Sequence, residues 1–241
     1  MEHKVINLWS GPRNVSTALM YSFAQRNDTK VVDEPLYGHY LYTTDVNHPG
    51  QEHFIHKIEL NAEKAIRNQI LKYHGKPITF IKNMAHHLDG VDDSFLNLVE
   101  NIFLIRHPSQ MIPSLINQIP NPTIRDVALE QQTVLYKRLS RENKKPIIID
   151  SKELLLNPKK ILSTVCNRLS VPFKDSMLRW KMGALPEDGP WAPYWYQNIH
   201  QSTGFSPYKK KEIELPSNLI NLLEESIIHY NFLYEYAIKT P

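Results

Sequence analysis

A short loop of basic, small and hydroxyl-bearing residues follows the first apolar run of the sequence. That run, Lys4–Trp9, predicts a buried strand, and apolar residues at helical spacing predict a helix over Val15–Arg26. Outward-pointing backbone N–H groups at such a strand-to-helix turn, with the positive end of the helix dipole, can bind an anion. We therefore predict an anion site at this loop, with an ordinary capped turn as the alternative. Its residues are Gly11, Pro12, Arg13, Asn14, Val15, Ser16 and Thr17.

The same loop lacks two groups that a nucleotide kinase needs. In an ATP-binding loop of the form G-x-x-x-x-G-K-[ST], the lysine neutralises the phosphates and the hydroxyl binds Mg²⁺. When Gly11 is taken as the first glycine, Thr17 occupies the lysine position and Ala18 the hydroxyl position. Arg13 offers a different cation inside the loop. A kinase or NTPase is therefore the less favoured interpretation.

A second basic residue stands at the end of another predicted strand, Asn101–Arg106. Ser114 follows Arg106 by eight residues, in a helix predicted over Ser109–Gln118. An arginine at a strand end can hold a phosphate through two N–H groups, and a nearby hydroxyl can share that phosphate. The alternative is an arginine paired with a structural carboxylate.

Strand-like and helix-like segments alternate through the first two thirds of the chain. This alternation predicts an α/β fold of three layers, in which helices flank a parallel sheet. Ligands of such sheets bind beyond the carboxyl ends of the strands. Further strands are predicted over Lys30–Asp33, Pro77–Lys82 and Pro146–Asp150, and further helices over Ile58–Tyr73, Asp126–Asn143 and Pro158–Ser170.

The last third of the chain contains a segment rich in proline and aromatic residues. Prolines at positions 186, 190 and 193 exclude a regular helix, so we predict a covering loop at 183–207 over one end of the sheet. Its aromatic residues are suited either to line a ligand pocket or to pack against the sheet edge. The whole chain, 1–241, is predicted as a single domain that closes with a helix at 218–238.

Polar side chains stand at the carboxyl ends of two predicted strands. Glu34 follows the second strand directly, and because side chains alternate along a strand, only one of Asp33 and Glu34 should face the site. Lys82 ends the third strand, and His86 follows it by four residues. Glu34 and His86 are candidate general bases, and Lys82 is a candidate for neutralising anionic charge.

The two anion motifs together resemble those of the sulfotransferase family, which has a P-loop-NTPase-like α/β fold. Two matching features are the loop P-R-x-x-S-T and the strand that ends in arginine, with a serine eight residues later. A third is the segment Ile147–Leu155, which is followed by Asn157–Pro158 and by a helix that ends in L-S-V-P-F. The resemblance covers roughly residues 4–175. The motifs are closest to the bacterial and tyrosylprotein sulfotransferases, whose loops read P-R-S-G-T-T; Asn14–Val15 replaces S-G here.

This resemblance implies an activity and a set of residue roles. The enzyme would move a sulfuryl group from 3′-phosphoadenosine 5′-phosphosulfate (PAPS) to a hydroxyl or amine of a small-molecule acceptor and release 3′-phosphoadenosine 5′-phosphate (PAP). The loop would hold the 5′-phosphosulfate, and Arg106 and Ser114 the 3′-phosphate. Glu34 would be the base, with His86 as the alternative, while Lys82 and Arg13 would neutralise the transferred group. No metal is required.

Composition limits the remaining function classes. The chain has 28 Lys and Arg against 25 Asp and Glu, a net charge of +3, which argues against a nucleic-acid partner. No apolar run reaches the ~18 residues that span a bilayer, so no membrane partner is expected. Cys166 is the only cysteine and the N-terminus lacks a signal-peptide pattern, so we expect a cytoplasmic protein.

Two alternatives to a sulfotransferase are a kinase-like phosphotransferase and a nucleotide-binding protein without turnover. The sequence leaves the acceptor and the oligomeric state open.

Overall fold

Six parallel strands form one sheet in the order β2-β3-β1-β4-β5-β6, with β1 near the centre. The computed structural model describes residues 3–142, 144–210 and 214–240. The sheet and the helices on both of its faces confirm the predicted α/β fold. The strands are β1 (Lys4–Ser10), β2 (Thr29–Asp33), β3 (Ile78–Met84), β4 (Glu100–Ile105), β5 (Ile147–Asp150) and β6 (Ala237–Ile238).

Helices cover both faces of this sheet, which explains why the strands are apolar almost throughout. One face packs against α5, α7 and α12, and the other against α1 and α9. Among the described helices, none combines the length and apolar character needed to cross a bilayer. The helices are α1 (Ser16–Ala24), α2 (Tyr37–Thr43), α3 (Gln51–Phe54), α4 (Ala62–Ala65), α5 (Pro108–Leu115), α6 (Ile124–Val127), α7 (Leu129–Arg141), α8 (Ser151–Leu156), α9 (Pro158–Arg168), α10 (Ala192–Trp195), α11 (Gln197–His200) and α12 (Ile220–Glu235).

Shorter turns of helix connect these elements. A π-helical turn, Ile66–Ile70, continues α4. Turns of 3₁₀ helix occupy Ile55–Lys57, Ala85–Leu88, Ser94–Leu98, Asp175–Leu178 and Ser217–Leu219. The turn at Ala85–Leu88 follows β3 directly and places two histidines at the carboxyl end of the sheet.

Two predicted helices differ from the structure: one begins later than predicted, and the other is divided in two. The helix predicted over Ile58–Tyr73 begins only at Ala62, because the side chain of Asn61 caps it by accepting the Lys64 N–H at 2.9 Å. The helix predicted over Asp126–Asn143 is two helices, α6 and α7. They break at Ala128, whose φ of 62° lies in the left-handed region. Asn143 lies outside the described residues, as do Met1, Glu2 and Pro241 of the predicted domain.

The predicted closing helix at 218–238 is too long at its C-terminal end. Helix α12 stops at Glu235, and Ala237–Ile238 form β6 instead. These two residues pair in parallel with Ile148 and Ile149 of β5 and are buried. The edge of β5 supplies backbone hydrogen-bond partners to the chain end, and this tertiary pairing outweighs the local helical pattern.

Candidate active site

A cavity of about 320 Å³ opens at the carboxyl ends of the strands, where loop 12–18 meets the covering segment 183–207. Ten predicted site residues line it. Gly11 and Lys82 do not line the cavity. Gly11 directly precedes Pro12 of the lining, and the Lys82 ammonium contacts Glu34, which is part of the lining. The ten are Pro12, Arg13, Asn14, Val15, Ser16, Thr17, Glu34, His86, Arg106 and Ser114.

Close packing against neighbouring elements fixes the loop after β1. A Cβ atom at Gly11 would lie 2.6 Å from the carbonyl oxygen of Val127, so only glycine fits this close approach. The Asn14 side chain accepts the Ser16 N–H at 3.1 Å and donates to the Leu104 carbonyl at 3.0 Å. Asn14 thus ties the start of α1 to the end of β4 with its own amide. Thr17 and Ala18, in the first turn of α1, line the cavity, and the first N–H groups of a helix lack intrahelical partners.

A buried glutamine that the sequence analysis did not single out supports the same loop. With its amide oriented to satisfy both neighbours, Gln132 accepts from the Gly11 N–H and donates to the Leu104 carbonyl, each at 3.2 Å. Its side chain is fully buried in α7. A glutamine in an amphipathic helix carries no local signal for this contact.

Two arginine side chains line the cavity beside the loop. The Arg13 Nε donates to Ser114 Oγ at 3.0 Å, and Arg106 Nη1 donates to the Arg13 carbonyl at 2.5 Å. In the described part of the chain, neither guanidinium reaches a carboxylate within ion-pair distance. Burial lowers the pKa of both groups, and for Arg106 the charge of Arg13 adds to the effect. Two half-buried cations that line the same cavity favour the binding of an anion there.

The Lys82 side chain is sealed from solvent and surrounded by oxygen atoms. Its ammonium donates to Asp33 Oδ1 at 2.7 Å, to Glu34 Oε1 at 2.5 Å and to Tyr196 Oη at 2.5 Å. The sheet register sets this up, since Asp33 of β2 and Lys82 of β3 are direct partners. All three donors of the ammonium are therefore used, and the carboxylates raise its pKa although burial alone would lower it.

Glu34 lines the cavity, whereas Asp33 does not. Both carboxylates nevertheless contact the same ammonium, because Glu34 has left the strand geometry with a φ of 39° and no longer follows the alternation of β2. Burial raises the pKa of the Glu34 carboxyl, and the charge of Lys82 opposes that rise. The result is a carboxylate that takes up a proton more readily than an exposed one.

Histidines and aromatic rings form the wall of the cavity near Glu34. His86 and His87 are buried, and burial lowers the pKa of His86 to about 3, which leaves it a weak base. His87 Nε2 lies 4.0 Å from Glu34 Oε2, beyond hydrogen-bond distance. Within the described ranges, no group of three or more His, Cys, Asp or Glu side chains has a metal-binding arrangement.

The covering segment contributes a residue that the sequence analysis did not identify. The Tyr196 hydroxyl donates to Asp33 Oδ2 at 2.8 Å and accepts from Trp191 Nε1 at 3.1 Å, in addition to the bond from Lys82. Trp191 and Trp195 line the cavity, whereas Tyr194 does not. The segment contains only the single turns α10 and α11, and Pro193 lies in the first turn of α10, where proline is tolerated.

Comparison with known proteins identifies the family. Residues 3–234 match the family model described as "Sulfotransferase domain". The chain belongs to the sulfotransferase family. The resemblance drawn from the loop and from the Arg106–Ser114 spacing is thereby confirmed.

Two curated relatives of this sulfotransferase come from Arabidopsis thaliana. They are named branched-chain-amino-acid aminotransferase-like proteins 1 and 2, with 39% identity over 96% of this chain and 38% identity over 95% of it. The chain spans 42% and 41% of their lengths, less than half of each.

Solved structures share the fold. The sulfotransferase domain of the Synechococcus PCC 7002 olefin synthase superposes with a TM-score of 0.59 at 17% identity, covering 100% of this chain and 98% of that one. A sulfotransferase from Alicyclobacillus acidocaldarius gives a TM-score of 0.55 at 13% identity, covering 99% and 98%.

Proposed function

We propose that this sulfotransferase transfers a sulfuryl group from PAPS to a hydroxyl group of a small-molecule acceptor and releases PAP. The observation that carries the proposal is that Arg13 and Arg106 both line the cavity and that neither guanidinium is in ion-pair contact with a carboxylate among the described residues. The buried carboxylate of Glu34 lines the same cavity. Anion binding and proton acceptance are therefore combined in one site.

The residues present fit a donor with two anionic ends. The N-terminus of α1, with Ser16 and Thr17, offers N–H and hydroxyl donors for one end. Arg106 and Ser114 offer a guanidinium and a hydroxyl for the other end. Arg13 lies between them, bonded to Ser114. When bound, PAPS supplies an activated sulfuryl group for in-line displacement by the acceptor oxygen.

In this proposal Glu34 accepts the proton of the acceptor hydroxyl on its carboxylate. Burial raises the pKa of this carboxyl, which favours proton uptake, and the Lys82 ammonium holds one of its oxygens at 2.5 Å. Lys82 uses all three of its N–H donors within the protein and does not line the cavity. We therefore assign Lys82 as a positioning residue for Glu34, in place of the direct contact with the sulfuryl group that the resemblance implies.

Acceptor-dependent release of PAP tests this function. The purified chain would be incubated with PAPS and a panel of alcohols and phenols, and PAP would be quantified by chromatography. We expect PAP release that requires an acceptor and is lost in Glu34→Gln. Phosphate transfer from Mg-ATP in the same assay would support the kinase-like alternative. PAP binding without turnover on any acceptor would support the non-catalytic alternative.

A further inference from the structure

The part of the cavity beyond Glu34 is walled by rings. We call it the ring-lined chamber. It is built by α2 and the segment after it, by the 3₁₀ turn after β3, and by the covering segment. Its residues are Tyr37, His48, His86, His87, Trp191 and Trp195.

These rings hold one another in fixed orientations. His87 stacks on Tyr37 with centroids 5.0 Å apart and planes 16° apart, and Trp191 meets Tyr37 edge-on at 5.0 Å. His86 meets His87 edge-on at 4.7 Å. The Tyr37 hydroxyl bonds His48 Nδ1 at 2.6 Å. A chamber with such rigid aromatic walls suits a compact or flat ligand that packs against ring faces.

The imidazoles of the chamber carry no charge near neutral pH. Burial lowers the pKa of His48 to about 4 and of His86 to about 3, and it holds the pKa of His87 well below its usual value. The neighbouring guanidinium of Arg125 lies over the Tyr40 ring at 5.2 Å and pairs with a carboxylate of Asp89 at 2.7 Å. The chamber therefore offers no uncompensated cation to an anionic acceptor.

The carboxylates that line this part of the cavity are also occupied. Lys82 holds Glu34, as described above. Asp126 accepts the backbone N–H and the hydroxyl of Thr123 at 2.7 and 2.8 Å, which caps α6. A cationic acceptor would find neither carboxylate without a partner, and its desolvation would go uncompensated.

We infer that the acceptor site selects an electrically neutral hydroxyl compound, which packs on the rings. The inference rests on the proposed function, because it takes Glu34 as the point where the acceptor hydroxyl reacts. It adds discrimination by charge: anionic and cationic analogues of one acceptor should both be rejected.

Three phenols of similar size and different charge test this selectivity. 4-Hydroxyphenylacetamide is neutral, 4-hydroxyphenylacetate is anionic and tyramine is cationic. Binding to the full chain saturated with PAP would be followed by calorimetry and by intrinsic tryptophan fluorescence, to which Trp191 and Trp195 contribute, so the readout does not depend on turnover. We expect the amide to bind at least about tenfold more tightly than either charged analogue. Equal or tighter binding of a charged analogue, or binding of none of the three, would overturn the inference.

Failure of this inference and failure of the proposed function give different results. If PAP itself does not bind, the proposed function is wrong. If PAP binds and the three phenols bind without regard to charge, only the acceptor inference is wrong.

Discussion

The ammonium group of Lys82 lies 2.5 Å from a carboxylate oxygen of Glu34 in an environment that excludes solvent from the lysine entirely. Asp33 binds the same ammonium at 2.7 Å, so one cation serves two carboxylates. Asp33 is turned away from the cavity and can remain paired while Glu34, which lines the cavity, changes its protonation state. This arrangement suits a general base, because the buried lysine stays compensated in both states of Glu34.

Replacing Glu34 by glutamine should remove turnover and leave donor binding intact. The amide keeps the shape of the side chain but cannot accept a proton, so kcat should fall by about 10²- to 10⁴-fold. The Kd for PAP should change by no more than about twofold. Glu187→Gln is the matched control, since that carboxylate pairs with Lys30 at 2.8 Å and does not line the cavity. A Glu34→Gln variant with near-normal kcat would show that another group is the base.

The substitution Tyr196→Phe should move the pH profile of the reaction. In the proposed mechanism the ionised form of Glu34 is the active one, so kcat/KM should rise with pH through the pKa of this carboxyl. Tyr196 stabilises the ionised form of Glu34. Its hydroxyl lies 3.5 Å from Glu34 Oε1 and also binds the Lys82 ammonium that holds Glu34. Removal of this hydroxyl should therefore raise the pKa of Glu34. The acid limb of kcat/KM should shift to higher pH. Tyr194→Phe, in the same segment but outside the cavity lining, should leave the limb in place. An unmoved limb in Tyr196→Phe would mean that the tyrosine has only a structural role.

The buried histidines should make the fold less stable in mild acid. In the folded state burial lowers the pKa of His48 to about 4 and of His86 to about 3, whereas the unfolded imidazoles titrate near ~6.5. As the pH falls below ~6.5, the unfolded state binds protons that the folded state does not bind. The free energy of unfolding should then fall by up to about 1.4 kcal/mol per pH unit for each imidazole, until the folded-state pKa is reached.

Urea unfolding at pH 7, 6 and 5 measures this dependence. The free energy of unfolding should depend less steeply on pH in His86→Phe, because this variant lacks one of the titrating imidazoles. A free energy of unfolding that does not change between pH 7 and pH 5 would contradict the neutral, buried state of these side chains.

The parts of the fold that follow local patterns were predictable from the sequence. Apolar runs marked the first five strands, and the residues at their carboxyl ends, including Arg13, Glu34 and Arg106, line one cavity. Strand β6 was not predictable, since Ala237–Ile238 continue a helical pattern and become a strand only by pairing with β5.

The partners of Lys82 show why the rest of the site could not be predicted. Tyr196 lies 114 residues from Lys82 in sequence, and neither periodicity nor spacing connects them. Glu34 reaches the same ammonium because of a positive φ, which a glutamate after a strand does not announce. The positions of His86 and His87 likewise depend on the 3₁₀ turn Ala85–Leu88, which no local signal identified.

The central claim is that Arg106 and Ser114 recognise the 3′-phosphate of the donor nucleotide. Calorimetric titration of wild type and Arg106→Ala with PAP and with 5′-AMP, which lacks that phosphate, tests it most directly. Arg138→Ala is the control, since it removes the same charge from an arginine that pairs with Asp93 and does not line the cavity. We predict that wild type prefers PAP over 5′-AMP and that Arg106→Ala loses about 100-fold in PAP affinity with little change for 5′-AMP. Equal weakening of both nucleotides, or tighter binding of Mg-ATP than of PAP by wild type, would contradict the account.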